Sequence, residues 1–411
     1  MNTTTFSQRF ASPPQPAAAR LVLKQLARLR HGTLSLQFPG GGMHRLGSGE
    51  PHASITLHNW NPFAAVLASG DIGLAETYLA GDWTTPCLPS LLELLVRNRR
   101  AFEDVVYGNW FGRMAYRLRH LLRRNSRSGS RRNIHAHYDL GNAFYGLWLD
   151  ETMNYSAALF GSDSGQRLAR AQEAKTRRAL SMAGVQPGHR LLEIGCGWGA
   201  LAEMAACEFG AHVTGVTLSA EQLSFARERL ARAGADSRAD LRLQDYRDIA
   251  DPPFDAICSI EMVEAVGRAY WPTYFSSISA LLKPGGRACI QTIVIQDELW
   301  PRYIRGTDFI QQYVFPGGCL PCRSEFERHA QAAGLEVVDA FAFGADYALT
   351  LRHWRERFTA ERARVLELGF DEQFIRLWEF YLAYCEAAFS QGNTDVLQYT
   401  LQKRQPVGTR P

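Results

Sequence analysis

A cluster of glycines between residues 193 and 199 is the part of the sequence best suited to bind a ligand. The segment Glu193-Ile194-Gly195-Cys196-Gly197-Trp198-Gly199 follows an apolar run at 189–192 and precedes a stretch with helical spacing at 200–208. Glycines at a strand-to-helix turn let the backbone approach a ligand closely, because no side chain intervenes. We therefore predict that a cofactor binds at this turn.

The residues after the second predicted strand distinguish between two kinds of cofactor. A nicotinamide dinucleotide needs an acidic side chain about 20 residues after the turn, where it binds the ribose hydroxyls. Here the second strand is followed by Thr217-Leu218-Ser219, and the nearest carboxylate is Glu221, inside the next predicted helix. The glycine spacing is also G-x-G-x-G rather than G-x-G-x-x-G. The pattern favours S-adenosylmethionine over a nicotinamide dinucleotide.

The elements that must position this turn alternate between strand and helix from about residue 133 onwards, as in a doubly wound sheet. Ser219 is the expected N-cap of one helix, with Gln222 completing a capping box. Ligands of such sheets bind at the carboxyl ends of the strands, which here gathers Glu193, Thr217, Asp245 and the segment 261–264 at one crevice. The strands are predicted at 189–193, 212–217, 240–244, 254–260, 287–295 and 335–343, with a turn at 283–286.

The fold class that follows is α/β, a doubly wound Rossmann-like class I methyltransferase domain with a smaller N-terminal α+β domain. The N-terminal part has helical spacing at 20–30, short β-like runs between 32 and 57, and helical spacing again at 61–107. A Ser/Gly/Arg-rich stretch at 123–132 is typical of a linker. We predict a disordered N-terminus at 1–18, an accessory domain at 19–122, the linker at 123–132 and the catalytic domain at 133–411.

Charge is spread unevenly along the 411 residues, although the formal net charge is only +4. Eleven arginines and two acids lie between Arg97 and Arg132. This stretch fits a solvated helix face with a linker, a surface attracted to anionic phospholipid, or a nucleic-acid site, but no nucleic-acid motif accompanies it. No apolar run is long enough to span a membrane, and eight scattered cysteines fit a reducing cytoplasm. The pair Cys319 and Cys322 lacks further ligands, so no metal site is expected.

Several motifs in the predicted catalytic domain resemble those of cyclopropane-fatty-acyl-phospholipid synthases. The resemblance runs in order from about residue 133 to the C-terminus, and segments at 74–78 and 81–83 resemble part of the N-terminal domain of that family. It implies a lipid-binding role for the accessory domain. The motifs are His137-Tyr138-Asp139-Leu140-Gly141-Asn142, Met153-Asn154-Tyr155-Ser156, the glycine turn, Gly215 to Ser219, Gln244 to Asp248, Glu264-Ala265-Val266-Gly267, Tyr313 to Pro321 and Phe343-Gly344-Ala345-Asp346-Tyr347.

The resemblance implies that S-adenosylmethionine donates a methyl group to the cis double bond of an unsaturated phospholipid acyl chain. Attack by the alkene leaves a carbocation, from which a base must take a proton while water is kept out. The residues expected at the cofactor, from the motifs and the crevice, are Tyr155, Ser156, Glu193, Gly195, Cys196, Gly197, Gly199, Thr217, Leu218, Ser219, Gln222, Asp245 and Tyr246.

The base in that family is a bound bicarbonate, and the resemblance implies that Glu264, Tyr347 and the backbone at Ile293 hold it here. Two positions depart from the family pattern, since Ala157 replaces a cysteine and Gln291 replaces a histidine. Gln291 can donate a hydrogen bond but cannot carry charge or accept a proton as histidine does. These five residues are the expected catalytic site, with bicarbonate as a second bound group.

The fate of the carbocation stays open, because a displaced base would give a methyl-branched unsaturated chain instead of a cyclopropane ring. Two further hypotheses are a weakly active lipid-binding partner subunit and a methyltransferase for a soluble metabolite. Neither His137 nor Cys385 receives a role. We expect a cytoplasmic protein at the inner face of the membrane, with phospholipid acyl chains as partners, no nucleic acid, and a homodimer as one assembly.

Overall fold

The computed structural model describes residues 16–102 and 140–405, which belong to two units, Met1–Arg113 and Met114–Pro411. The predicted linker at 123–132 lies outside the described residues, as do most of the arginine-rich stretch and the predicted disordered segment.

The N-terminal unit contains the predicted mixture of helices and strands. Its four-stranded sheet has the order β2-β1-β3-β4, with β1 antiparallel to β2 and parallel to β3. Trp83 is fully buried, and its indole N–H donates to the main-chain carbonyl of Leu74, which fixes a helix against the sheet. The elements are α1 (Ala17–Leu26), β1 (Gly32–Gln37), β2 (Met43–Ser48), β3 (His52–Leu57), α2 (Asn61–Ser69), α3 (Asp71–Leu79), β4 (Trp83–Thr84) and α4 (Leu88–Arg97).

The second unit is built on a seven-stranded sheet flanked by helices. Its strands are β5 (Arg190–Ile194), β6 (His212–Thr217), β7 (Ala239–Leu243), β8 (Phe254–Ile260), β9 (Leu282–Ile295), β10 (Leu335–Ala342) and β11 (Thr394–Lys403). Its helices are α5 (Asn142–Trp148), α6 (Leu168–Met182), α7 (Ala200–Cys207), α8 (Ala220–Arg232), α9 (Val263–Val266), α10 (Trp271–Leu281), α11 (Trp300–Tyr303), α12 (Arg323–Ala332), α13 (Gly344–Ala360), α14 (Arg362–Glu367) and α15 (Glu372–Ser390).

The strand order is β10-β11-β9-β8-β5-β6-β7, and every strand from β5 to β9 is parallel to its neighbours among them. Strand β11 is antiparallel to both β9 and β10, between which it lies. Five parallel strands with helical crossovers confirm the predicted doubly wound fold. The sequence does not predict β11.

Helices cover both faces of this sheet, because the buried strands are apolar on both sides. Ile257 belongs to a core cluster with α10 and α12, whereas its neighbours Ala256 and Cys258 belong to another with α6, α7 and α8. Adjacent strand residues point to opposite faces, so these clusters are the two layers of the core. The strands are therefore fixed from both sides, and their carboxyl ends hold a defined position.

Most predicted boundaries lie within a few residues of those observed, with one local difference. The predicted turn at 283–286 lies within the observed span of β9, where the pairing with β8 shifts register between Phe254 and Ala256. Gly285 has a φ of 76° there. Glycine adopts this φ without strain, so the strand continues through the segment where the turn was predicted.

Candidate active site

The three glycines that follow β5 have different surroundings. All have positive φ, which glycine adopts without strain. An added Cβ would lie 2.4 Å from the Met262 sulfur at Gly195 and 2.9 Å from the Ala226 Cβ at Gly199, but within 4 Å of no described atom at Gly197. Gly197 therefore leaves space for a ligand, whereas Gly199 allows α7 to pack against α8.

A cleft at the carboxyl ends of the strands brings most of the predicted cofactor residues together. Gly199 and Ser219 do not line it, and each has a structural role: Gly199 in helix packing, and Ser219 in accepting a hydrogen bond from the Gln222 main-chain N–H at 3.3 Å as the predicted N-cap. The predicted residues that line the cleft are Tyr155, Ser156, Glu193, Gly195, Cys196, Gly197, Thr217, Leu218, Gln222, Asp245 and Tyr246.

The polar side chains around the cleft are held by short hydrogen bonds. The Thr217 hydroxyl donates to Gln222 Oε1 at 3.0 Å, so the Gln222 side chain binds β6 rather than closing the predicted capping box. The Asp245 carboxylate pairs with the Arg247 guanidinium at 2.5 and 2.8 Å. These contacts fix the rotamers of the lining residues, which favours binding of a rigid nucleoside.

Lys175 on α6 is a buried cation at this cleft that the sequence analysis missed. Its ammonium group donates to the Ser156 hydroxyl at 2.6 Å, and its side chain lines the cleft together with Glu193 and Glu261. Burial lowers the pKa of Lys175 to about 8 and raises that of Glu193 to about 8. The Lys175 ammonium is the positive charge that offsets part of the rise in pKa that burial causes at Glu193 and Glu261. The signal available in the sequence was a lysine on the buried face of an amphipathic helix.

Glu261 occupies the position that the sequence analysis assigned to a bound anion. Its carboxylate accepts hydrogen bonds from the Ala157 main-chain N–H at 2.8 Å, the Gln291 side-chain amide at 2.8 Å and the Tyr347 hydroxyl at 2.7 Å. The backbone at Glu261 has a φ of 53°, which costs a non-glycine residue on the order of 1–3 kcal/mol. The chain thus adopts an unfavourable conformation at the residue whose carboxylate enters the site.

Glu264 lies beside this group of donors but contacts different partners. Its carboxyl oxygen Oε1 accepts from the main-chain N–H of Ile293 and from the Thr292 hydroxyl. Burial first, and the nearby Glu261 second, raise the pKa of Glu264 to about 8. Two buried carboxyls close together do not both ionise readily. Since Glu261 has three donors, we assign the negative charge to Glu261 and the proton to Glu264.

The predicted arrangement of one bicarbonate among Glu264, Tyr347, Gln291, Ala157 and Ile293 therefore needs correction. Three of these residues donate to Glu261, and the Ile293 N–H donates to Glu264. The donors that an anion would use are taken by carboxylates of the chain itself, so the residues present do not fit a bound bicarbonate. The sequence places Glu261 at the crevice from its position after β8, but predicts no role for it.

Other features of the described residues bear on the remaining predictions. Within 16–102 and 140–405, no group of three His, Cys, Asp or Glu side chains is placed to hold a metal. No helix in the same ranges is long and apolar enough to cross a bilayer. Burial raises the pKa of the Cys385 thiol far above its usual value, which makes it a poor nucleophile. His137 lies outside the described residues.

Comparison with known proteins places this site in a family. Residues 125–399 match the family model described as mycolic acid cyclopropane synthetase. The chain is 40% identical over 404 residues to a tuberculostearic acid methyltransferase of Mycobacterium tuberculosis, a match that covers 96% of this chain and 93% of that protein. It is 32% identical over 363 residues to a cyclopropane-fatty-acyl-phospholipid synthase of Escherichia coli, covering 88% of this chain and 91% of the relative.

A solved structure supports the same family and the identity of the cofactor. A mycolic acid cyclopropane synthase complexed with SAH (S-adenosylhomocysteine) and CTAB superposes with a TM-score of 0.62 and 32% identity, covering 66% of this chain and 98% of that one. SAH is the demethylated form of S-adenosylmethionine, and the open space at Gly197 fits that cofactor. The chain therefore belongs to the mycolic acid cyclopropane synthetase family of S-adenosylmethionine-dependent methyltransferases, which act on fatty acyl chains.

Proposed function

We propose that this chain methylates the cis double bond of unsaturated phospholipid acyl chains, and that the carboxylate of Glu261 is the base that completes the reaction. The observation that carries this proposal is the set of three hydrogen bonds to Glu261 from Ala157, Gln291 and Tyr347. They hold an ionised side chain where the family resemblance implies a bound anion.

The proposed reaction has two steps. The π electrons of the alkene attack the methyl carbon of the cofactor, and the bond between sulfur and methyl breaks with its electron pair moving to sulfur. The acyl chain then carries a cation on the other carbon of the former double bond, next to the carbon that bears the new methyl group. Glu261 takes a proton from an adjacent carbon, and the electron pair of that C–H bond forms the new bond of the neutral product.

Burial and electrostatics suit Glu261 to this role. Burial raises the pKa of Glu261, while its three hydrogen-bond donors and the Lys175 ammonium oppose that shift. A buried carboxylate is a stronger base than one in water and interacts strongly with a cation, because little solvent screens it. The same charge therefore stabilises the carbocation and receives its proton.

We propose that the product is a methyl-branched unsaturated chain. A carboxylate attached to the backbone cannot move within the site as a free anion can, so proton removal is confined to the carbon that faces Glu261. The 40% identity to a tuberculostearic acid methyltransferase supports a product other than a ring. The cyclopropane ring is the second candidate, favoured by Glu264, which keeps a family carboxyl beside Ile293.

Isotope labelling separates these products. Cofactor with a trideuterated methyl group, incubated with mono-unsaturated phospholipid vesicles, leaves three deuterons on the chain if a chain proton is removed. A cyclopropane ring or an exocyclic methylene group retains two deuterons, and proton NMR distinguishes these two products. We expect three. We also expect Glu261→Gln to lower product formation at least about 100-fold while SAH affinity stays within about threefold, as for the loss of a general base. If Glu264→Gln is the more damaging change, Glu264 is the base.

We further propose that the arginine-rich stretch between Arg97 and Arg132 attracts the protein to the anionic inner face of the cytoplasmic membrane. Each basic residue near such a surface contributes about 1 kcal/mol, and salt screens the attraction over about 10 Å at 0.1 M. We expect binding to anionic vesicles to weaken strongly as salt rises and binding to neutral vesicles to be weak throughout. Salt-independent binding to both vesicles would contradict this proposal.

A further inference from the structure

A chain of hydrogen bonds runs from the outer part of the sheet to the Glu261 carboxylate. Arg178 on α6 donates to Asp339 on β10 and, through its second terminal nitrogen, to Gln398 Oε1 on β11, both at 2.8 Å. Gln398 Nε2 donates to Gln291 Oε1 at 3.0 Å. Gln291 Nε2 donates to Glu261 Oε1 at 2.8 Å. Gln398 and Gln291 are fully buried and lie opposite each other in the pairing of β11 with β9.

The direction of this chain is fixed at Gln398. A guanidinium group only donates hydrogen bonds, so the side-chain atom of Gln398 that faces Arg178 must be the carbonyl oxygen. A main-chain carbonyl only accepts, and Gln398 Nε2 lies 3.1 Å from the carbonyl oxygen of Lys175. Both contacts require the same orientation of the amide. The amide of Gln291 is then oriented as well, with its oxygen towards Gln398 and its nitrogen towards Glu261.

We propose that Arg178 and Gln398 are positioning residues that set the direction of this hydrogen-bond chain, so that Gln291 presents an N–H to Glu261 and keeps its carboxylate ionised. The inference rests on the proposed role of Glu261 as the base. With the chain reversed, the Gln291 carbonyl would face the carboxylate, and only the protonated form of Glu261 could then donate to it.

The charged and titratable groups around Glu261 come from several elements. Lys175 faces it from α6, Tyr347 from α13, and Glu264 from the short helix α9 that follows it in sequence. The Lys175 ammonium and the Tyr347 hydroxyl favour the ionised form of Glu261, and Glu264 would oppose it only in its own ionised form. Gln291 is neutral, and its effect on the ionisation of Glu261 depends on whether it presents its amide N–H or its carbonyl oxygen. A distant residue that orients Gln291 therefore changes the protonation state of Glu261.

The test compares variants of the full-length protein by the fate of the carbocation. When the base is protonated, water adds to the cation through an oxygen lone pair and loses a proton to solvent, giving a hydroxylated methyl chain. The ratio of hydroxylated to deprotonated product is independent of the step that limits turnover, because both products come from one cation. Mass spectrometry of the acyl chains measures this ratio between pH 5.5 and 8.5.

The most direct variant is Gln398→Glu, which keeps the shape of the side chain. One oxygen of the new carboxylate accepts from Arg178, and the other would face two acceptors, the Lys175 carbonyl and Gln291 Oε1, which forces Gln291 to reverse. We expect the pH at which hydroxylated product appears to rise by about one unit, which is about a tenfold larger ratio at pH 6. Arg178→Gln should act in the same direction, and Arg178→Lys should restore much of the wild-type ratio.

A matched control is Arg177→Gln, on the same helix. Arg177 pairs with Glu208 at the surface and takes no part in the chain. We expect its product ratio to equal that of the wild type at every pH. If Gln398→Glu does not fold, the comparison of Arg178→Gln with Arg178→Lys and Arg177→Gln decides the question.

Two results would overturn the inference, and they differ in what else they overturn. If Glu261→Gln raises the hydroxylated fraction but Gln398→Glu and Arg178→Gln behave as Arg177→Gln does, the positioning role is wrong and the base assignment survives. If Glu261→Gln leaves the ratio unchanged, the proposed base is wrong as well. SAH affinity measured on each variant confirms that the cofactor site is intact.

Discussion

The ammonium nitrogen of Lys175 lies 2.6 Å from the hydroxyl oxygen of Ser156, and both side chains are buried. Ser156 lies in the segment that precedes α6 in sequence, so this contact ties that segment to the helix. Lys175 also faces the carboxyls of Glu193 and Glu261. One buried cation thus connects the cofactor cleft with the proposed base.

Replacing this cation should weaken cofactor binding. In Lys175→Met, Glu193 loses the positive charge that opposes the increase in its pKa, and Ser156 loses its donor. We expect SAH affinity to fall about tenfold, or about 1.4 kcal/mol, by isothermal titration calorimetry. Arg170→Met on the same helix, at an exposed pair with Glu173, is the control and should bind normally. Equal affinity in the two variants would refute a role for Lys175 in binding.

The pH dependence of stability should report the protonated state of Glu264. Its pKa is about 8 in the folded protein against an ordinary value of 4.5. The folded state therefore binds more protons between these pH values, and the free energy of unfolding falls as pH rises through this window. Glu264→Gln keeps the acceptor for Ile293 and removes the titration.

We expect the Tm of this variant to fall less between pH 5 and pH 8 than that of the wild type. The expected difference is at least about 2 °C, which corresponds to about 1 kcal/mol in a domain of this size. Circular dichroism melting curves across this range provide the measurement. Parallel curves for the two proteins would show that Glu264 is ionised in the folded state.

Substitutions at two glycines should separate cofactor binding from backbone strain. Gly197 and Gly234 both have positive φ, and an added Cβ at either would lie within 4 Å of no described atom. Valine should therefore cost similar stability at both positions. Only Gly197 lines the cleft, so we expect Gly197→Val to lower SAH affinity at least about 100-fold and Gly234→Val to leave it unchanged. Retained affinity in a folded Gly197→Val protein would remove this turn from the cofactor site.

Removing the hydroxyl of Tyr347 should raise the pKa of Glu261. The hydroxyl donates to Glu261 Oε2 at 2.7 Å, and a lost donor to a buried carboxylate costs about 1.5–3 kcal/mol. In Tyr347→Phe we expect deprotonated product to fall roughly tenfold at pH 6 and less at pH 8. Tyr399→Phe is the control, because no described residue partners its buried hydroxyl. A loss that is independent of pH would point to packing instead.

The sequence predicted the parallel part of the fold well, because strands such as β5 and β8 are apolar runs bounded by turns. It did not predict β11, whose sequence Thr394-Asp395-Val396-Leu397-Gln398-Tyr399 mixes polar and apolar residues without clear alternation. Buried glutamine and threonine side chains explain that pattern. Gln398 belongs to the hydrogen-bond chain, which is a tertiary feature that local periodicity does not contain.

The cofactor site was predictable for a different reason. Its glycine turn, N-cap and polar residues lie close together in sequence and have local signatures. The role of Glu261 was not, because its donors come from Ala157, Gln291 and Tyr347, which are far apart in the chain. The family motifs indicate Glu264 instead. The left-handed backbone at Glu261 directs the carboxylate of Glu261 towards these three donors.

Strand β11 lies between β9 and β10 in the sheet, although it is synthesised after both of them. The ribosome makes Gln398 more than a hundred residues after Gln291, so the strand that orients the active-site amide emerges well after the amide itself. A nascent chain that ends before β11 already carries every residue of the cofactor cleft. It lacks the contact that orients Gln291 towards Glu261. Full competence for the second chemical step therefore arises only after β11 has been made and has paired with β9.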